Sequence, residues 1–135
     1  MAASVLDSWA LLAFYKDEPC AGEVEKIIHQ AAEKGRPLLL SVVNWTEIHY
    51  SLERAGGRAV AEKVAAQIAE LPIEIVGIGD DLKTARTAAF FKAAHKMSLA
   101  DAFAAALAKE RKAELVTGDP EFKSLEKEIK IHWLK

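Results

Sequence analysis

Four carboxylates, Asp7, Glu47, Asp101 and Asp119, have the residue type and the placement to do chemistry together. Each sits where an apolar, strand-like run gives way to a helix, or in the first turn of a helix. They are far apart in sequence, but a parallel α/β fold would carry all of them to one edge. A few carboxylates without His or Cys match the oxygen preference of Mg²⁺ and Mn²⁺. One or two such ions can activate water and stabilise the leaving oxygen in phosphodiester cleavage. The expectation is therefore an acidic pocket for a divalent metal. Ser8 and Thr117 adjoin pocket acids, and their hydroxyls would either orient a ligand or water or make simple local hydrogen bonds.

Each acid also has a local explanation. Ser98-Leu99-Ala100-Asp101 is a capping-box pattern, and Asn44-Trp45-Thr46-Glu47 is a near relative. Asp119 before Pro120 reads as an N-cap with proline at the first helical position. Asp7 could cap the first helix. Taken singly, capping is the better reading; the conjunction changes it. Four acids at one edge repel one another unless a cation or a proton relieves them. Helix N-termini supply partial positive charge that tolerates such a cluster, and they could also receive phosphate groups.

Other chemistries lack their residues. His29, His49, His95 and His132 show no ligand spacing, and Cys20 stands alone, so a soft-metal site is not expected. Gly56-Gly57 is not followed by Lys-Ser or Lys-Thr, so there is no phosphate-binding glycine loop. Lys83, Arg86, Lys92 and Lys96, and again Arg54, Arg58 and Lys63, could hold a phosphate backbone, although a solvated helix face explains each of them better. Trp9, Trp45, Phe90 and Phe91 read as core or partner-facing residues rather than base-stacking platforms, and an interface role would suit Trp9 and Trp45, which lie close to pocket acids.

The elements that must position these residues alternate. Ser4 to Leu6 reads as a short buried strand, with a short helix through Tyr15. Val24, Ile27, Ile28 and Ala31 share a face of a helix over 21–34, and Gly35 is a good stop. Leu38 to Val43 is expected as the second strand. Helix follows from Trp45 to about Arg54, Gly56-Gly57 breaks it, and a further helix reaches about Glu70. Ile73, Ile75, Val76 and Ile78 after Pro72 form a third strand. Asp80 opens a helix to about Ala94 and Ser98 another to about Lys112. Glu114 to Thr117 is the fourth strand, Asp119-Pro120 starts a helical turn, and Ile129 to Leu134 reads as an edge strand. Alternation of this kind implies a mostly parallel sheet of four or five strands with right-handed crossovers. Its sites form outside the carboxyl ends of the strands, where strand order reverses.

The chain of 135 residues suits one compact domain, and 51% hydrophobic with 28% charged residues is a globular balance. A lone cysteine fits a reducing, cytoplasmic compartment. The run from Val5 to Tyr15 is interrupted by Asp7 and lacks a basic leader, so no signal peptide is read. No stretch is apolar enough to span a bilayer. A formal net charge of -2 argues weakly against a nucleic-acid partner, but four of the 20 acids belong to the expected metal pocket.

Four segments together carry a resemblance: Val5-Leu6-Asp7-Ser8 with Ala10-Leu11; Asn44-Trp45-Thr46-Glu47; Ser98-Leu99-Ala100-Asp101-Ala102; and Val116-Thr117-Gly118-Asp119 with Phe122. In order and rough spacing, over essentially the whole chain, they resemble the PIN-domain nucleases, and within them the VapC-type toxins of toxin–antitoxin pairs. The resemblance implies a single PIN-like domain over 1–135, an α/β/α sandwich, and Mg²⁺- or Mn²⁺-dependent RNA hydrolysis. It carries the family's acids onto Asp7, Glu47, Asp101 and Asp119, and its hydroxyl positions onto Ser8 and Thr117. It also implies a homodimer and a small antitoxin partner able to occupy the active-site groove. The helix pair around Gly56-Gly57 is similar to the family's protruding clip, a candidate antitoxin or dimer surface. Trp9 stands where many relatives have a small or polar residue, which would narrow the pocket or alter substrate choice, and Glu121 could stand in for a further acid of some relatives. The alternatives are a non-catalytic RNA- or partner-binding domain of the same fold, and a receiver-like domain phosphorylated on Asp7. The second lacks a second acid directly beside Asp7 and a lysine ending the last strand.

Overall fold

The computed structural model of the chain describes residues 3–135. Five strands, β1 (Ser4–Leu6), β2 (Leu38–Ser41), β3 (Ile73–Val76), β4 (Glu114–Thr117) and β5 (Ile131–Trp133), form one sheet in the order β3-β2-β1-β4-β5. Every pairing is parallel; β1 is central, with Leu6 beside Leu40 on one side and Val116 on the other. The helices are α1 (Ser8–Tyr15), α2 (Ala21–Lys34), α3 (Val42–Gly56), α4 (Arg58–Glu70), α5 (Lys83–Ala94) and α6 (Leu99–Arg111), with a 3-10 helix at Pro120–Leu125 before β5.

Alternation along the strands makes the sandwich. Leu6, Leu38, Leu40 and Val116 face one core with Leu11, Val24, Ile48, Leu52, Val64 and Ile68 of α1 to α4. Val5, Leu39 and Leu115 face the other, with Phe91 and the alanines of α5 and α6 and with Phe122 and Leu125. Successive strand residues point to opposite faces, so buried strands covered on both sides read as continuous apolar runs. The chain steps from β1 to β2 to β3 in one direction with its helices on one face. It then crosses the other face through α5 and α6 to reach β4 and continues the opposite way to β5. Changing face when direction reverses is what right-handed crossovers require. This is also the route of the Asp80 region, which sequence patterning could not supply: α5 packs on α6, and α6 returns antiparallel to β4.

Several boundaries differ from the sequence reading; the third strand ends at Val76 and leaves out Ile78. The second strand stops at Ser41 because the Ser41 hydroxyl accepts the Val43 N–H at 3.2 Å and caps α3 there. Asn44 is thus inside the first turn rather than at a cap, and Glu47 is in the second turn rather than the first. Helix α5 begins at Lys83, not at Asp80: Leu82 is left-handed with φ 65°, and Asp81 Oδ1 accepts the Lys83 N–H at 3.0 Å. The last strand keeps only Ile131–Trp133, since Ile129 turns inward to the core instead. Among the described residues, no helix is long and apolar enough to cross a membrane.

Candidate active site

The order reverses between β1 and β4, and the site is built there. β1 delivers Asp7 to a position with 0% exposure. Its Oδ1 accepts the Ala10 N–H at 2.8 Å, so Asp7 does cap α1. Its Oδ2 accepts from the Thr117 hydroxyl at 2.5 Å, across the β1–β4 pairing. Thr117 Oγ1 in turn accepts the Asp119 N–H at 3.0 Å. One short chain of hydrogen bonds therefore fixes the turn after β4 to the end of β1. Asp119 Oδ1 accepts the Glu121 N–H at 2.9 Å and caps the 3-10 helix, with Pro120 at its first position.

Asp101 arrives from α6. The Ser98 hydroxyl accepts the Asp101 N–H at 3.1 Å, completing the expected cap and aiming the first turn of α6 at the same edge. Burial, above all, raises the Asp101 carboxyl from 3.8 to about 7; the charges of Asp119, Glu47 and Glu121 add to this, and a Ser98 hydrogen bond opposes it. Burial raises Asp7 to about 8, against its hydrogen bonds from Thr117 and Ala10, with Asp101 and Asp119 adding repulsion. Desolvation and like charge both disfavour a carboxylate. These couplings make Asp7, Glu47, Asp101 and Asp119 one electrostatic cluster at the carboxyl edge, and they draw in Glu121.

The two hydroxyls part company. Thr117 sits on Asp7. Ser8 is buried but turns to α3, donating to the Asn44 carbonyl at 3.3 Å and accepting from Asn44 Nδ2 at 2.9 Å. Asn44 Nδ2 also donates to the Ala100 carbonyl at 3.3 Å, so one side chain ties α1, α3 and α6 together. Asn44 is fully buried, and its Oδ1 has no hydrogen-bond partner among the described residues. Its joining role was missed in the sequence, where it read as a cap. The signal was its spacing with Ile48 and Leu52 on the buried stripe of α3.

Of the basic residues singled out, Lys92 donates to the Met97 carbonyl at 2.9 Å, Arg54 lies 4.9 Å over the Tyr50 ring and Arg58 pairs with Glu53. All four histidines stand beside glutamates, and none joins the acid cluster. Trp9 matters more than its sequence position suggested. Its benzo-ring edge abuts Gly118, between Thr117 and Asp119, and a Cβ at residue 118 would collide with it.

Among the described residues, no group of three or more His, Cys, Asp or Glu side chains is arranged to hold a metal ion as it stands. Mg²⁺ is usually bound through one or two carboxylates and several waters, so an oxygen-only set of crowded acids fits such an ion without a closed cage. The raised Asp7 and Asp101 carboxyls are what a cation would relieve.

Residues 4–128 match the family model described as PIN domain. The chain belongs to the PIN domain family. No curated protein matches it. Among solved structures, VapBC2 from Rickettsia felis, bound to a DNA fragment from its promoter, superposes with a TM-score of 0.74 at 14% identity, covering 98% of this chain and 99% of that one. DNA-bound VapBC from Salmonella typhimurium gives 0.72 at 16% identity, covering 98% of each chain. VapC20 from Mycobacterium tuberculosis, a toxin that cleaves the sarcin–ricin loop, gives 0.68 at 18% identity, covering 90% and 94%. At these identities the likeness is one of fold, which in this PIN domain is a five-stranded parallel sheet flanked by helices.

Proposed function

We propose that this PIN domain protein is a Mg²⁺- or Mn²⁺-dependent endoribonuclease and the toxin of a toxin–antitoxin pair. The observation that carries the reading is that Asp7 and Asp101, buried at the switch point, are both raised, chiefly by burial and further by the neighbouring acids of one cluster. Strongly perturbed carboxyls in a cleft are what active sites build and structural caps do not need. Asp7, Glu47, Asp101 and Asp119 would hold the ion. When bound, it would supply charge neutralisation at the phosphate and a more acidic water. Thr117 holds Asp7 Oδ2 in place while its Oγ1 keeps the Asp119 backbone close. Ser8 acts through Asn44, keeping α1 in register with α3 and α6.

The fold shared with VapC20, whose name states cleavage of the sarcin–ricin loop, supports RNA as substrate. The fold shared with VapBC complexes supports a small antitoxin partner. A homodimer is supported by the exposed apolar side chains of Tyr50 and Leu99, which line an open cavity of about 370 Å³ with Val42, Val43, Thr46, Ser98, Ala100 and the cluster acid Glu47.

Incubating total RNA with the purified protein, with and without Mn²⁺, tests the reading. Wild type should cleave only with the metal, and Asp101→Asn should not cleave. Cleavage by Asp101→Asn at the wild-type rate removes Asp101 from the machinery. RNA binding with no metal-dependent cleavage would instead make the protein a binding domain of the same fold.

A further inference from the structure

Asn44 is not one of the acids, but each partner of its side chain adjoins one. Asn44 Nδ2 donates to Ser8 Oγ at 2.9 Å, and Ser8 follows Asp7. The same nitrogen donates to the Ala100 carbonyl at 3.3 Å, and Ala100 precedes Asp101. Glu47 lies three residues after Asn44 on α3, a spacing that makes the two neighbours on the helix surface. Segments carrying three of the four acids are thus tied at one fully buried amide. The partners also decide which way the amide faces. A carbonyl can only accept, so the nitrogen must face Ala100 and the oxygen must turn away. Asn44 Oδ1 meets no donor among the described residues. Leucine has nearly the same shape and would join Ile48 and Leu52 on the buried stripe of α3 without burying a polar group. Packing therefore does not account for asparagine at this position; its two donations do.

We propose that Asn44 is a positioning residue, which holds the backbones of Asp7, Glu47 and Asp101 at the spacing that lets their carboxylates take up one divalent cation together. The proposal rests on the metal-dependent reading of the site and names the residue that sets its affinity for the ion. Among the described residues the acids are not already closed around an ion, so their side chains must turn inward when one enters. The backbones that carry them must then stay in place. Like charge opposes this: Glu47 and Asp119 bear on Asp101, and Asp101 bears on Asp7. Until a cation relieves the repulsion, something neutral has to hold α1, α3 and α6 against it. Asn44 does so without adding charge. Asp119 lies outside this tie and has its own, since Thr117 Oγ1 accepts its N–H. Loss of the amide would let the three helices part, leaving the ion fewer carboxylates within reach at once.

The test is calorimetric titration of MnCl₂ into the RNA-free protein, with thermal melts of the metal-free protein alongside. Asn44→Leu keeps the shape and should bind Mn²⁺ roughly 10- to 100-fold more weakly, the cost of losing a group that orients metal ligands. Ser8→Ala removes one of the two acceptors and should weaken binding by a smaller factor. Ile68→Ala is the structural control: it opens the core under α4, which carries none of the four acids. It should lower the melting temperature while leaving Mn²⁺ affinity within about twofold of wild type. Wild-type affinity in both Asn44→Leu and Ser8→Ala, with only the melting temperature lowered, overturns the proposal and makes Asn44 a core brace. If Asn44→Leu does not fold, Ser8→Ala decides alone. Cleavage of total RNA by wild type separates the two ideas. Metal-dependent cleavage with unaltered Mn²⁺ affinity in the variants sinks only the role of Asn44. Mn²⁺ binding that the variants weaken, without cleavage, supports that role and sinks the nuclease reading, and a wild type that binds no Mn²⁺ sinks both.

Discussion

The acid cluster has a buried wall and an open rim, and the two are built by different physics. Asp7 and Asp101 form the wall, where burial is the largest cause of their raised carboxyls. Glu47 and Asp119 are half-buried and Glu121 is exposed; these rim acids contribute charge to the wall. Both oxygens of Asp7 are engaged by hydrogen bonds, whereas Glu121 offers only its backbone N–H to Asp119. A buried acid must be matched by something, because uncompensated charge in a low-dielectric site is costly. A proton supplies that match for the raised Asp7 and Asp101, and under the proposed function a cation would take its place, which makes the wall the energetic centre of the cluster and the rim its tuning.

The largest break in this comparison should come from Asp7→Asn. The side chain can still cap α1, so folding should persist, but metal-dependent RNA cleavage should fall by more than about 100-fold, beyond the 10–100-fold cost of losing a supporting partner. Gel assay of a substrate RNA reads this directly, and residual activity above one-tenth would move the centre of the site to the rim. Thr117→Val keeps shape but strips Asp7 Oδ2 of its donor and the Asp119 N–H of its acceptor. Cleavage should fall about 10- to 100-fold, and urea titration should show a loss of about 1–3 kcal/mol.

Proton linkage should expose the wall alone. Asp7 and Asp101 have folded values near 8 and near 7, both above the ordinary 3.8. Between 3.8 and these values the folded chain binds more protons than the unfolded one, so their contribution to stability is present at low pH and declines as pH rises. Metal-free protein should therefore melt lower at pH 8 than at pH 6, and Mg²⁺ should raise the melting temperature more at pH 8. A Mg²⁺ effect equal at both values would mean that the ion does not compete with these protons. The smallest effect belongs to Glu121→Gln: an exposed charge contributes up to about 1 kcal/mol, so cleavage should change by less than about fivefold.

The caps show how far local pattern reaches. Ser98 with Asp101, Asp119 with Pro120 and Asp7 before α1 were readable because a cap is satisfied by residues two or three positions away. Ser41 was overlooked for a related reason: Leu38 to Val43 is apolar enough to read as strand, and a single hydroxyl ends it. The Asp80 route could not be read at all, since a crossover over two strands is decided by which face of the sheet is still uncovered. Asn44 and Trp9 were visible as residues but not as roles. Asn44 acts on Ser8 and Ala100, and Trp9 on Gly118, in each case far along the chain.

The amino-acid sequence alone determined the strand and helix periodicities, the residues offered for chemistry and the order in which the fold would meet them, because these depend on neighbours within a few positions. Tertiary structure alone decided which carboxyls lose water and which of two hydroxyls reaches Asp7. Desolvation and Coulomb repulsion act through space, and their strength is set only when distant segments close around the same point.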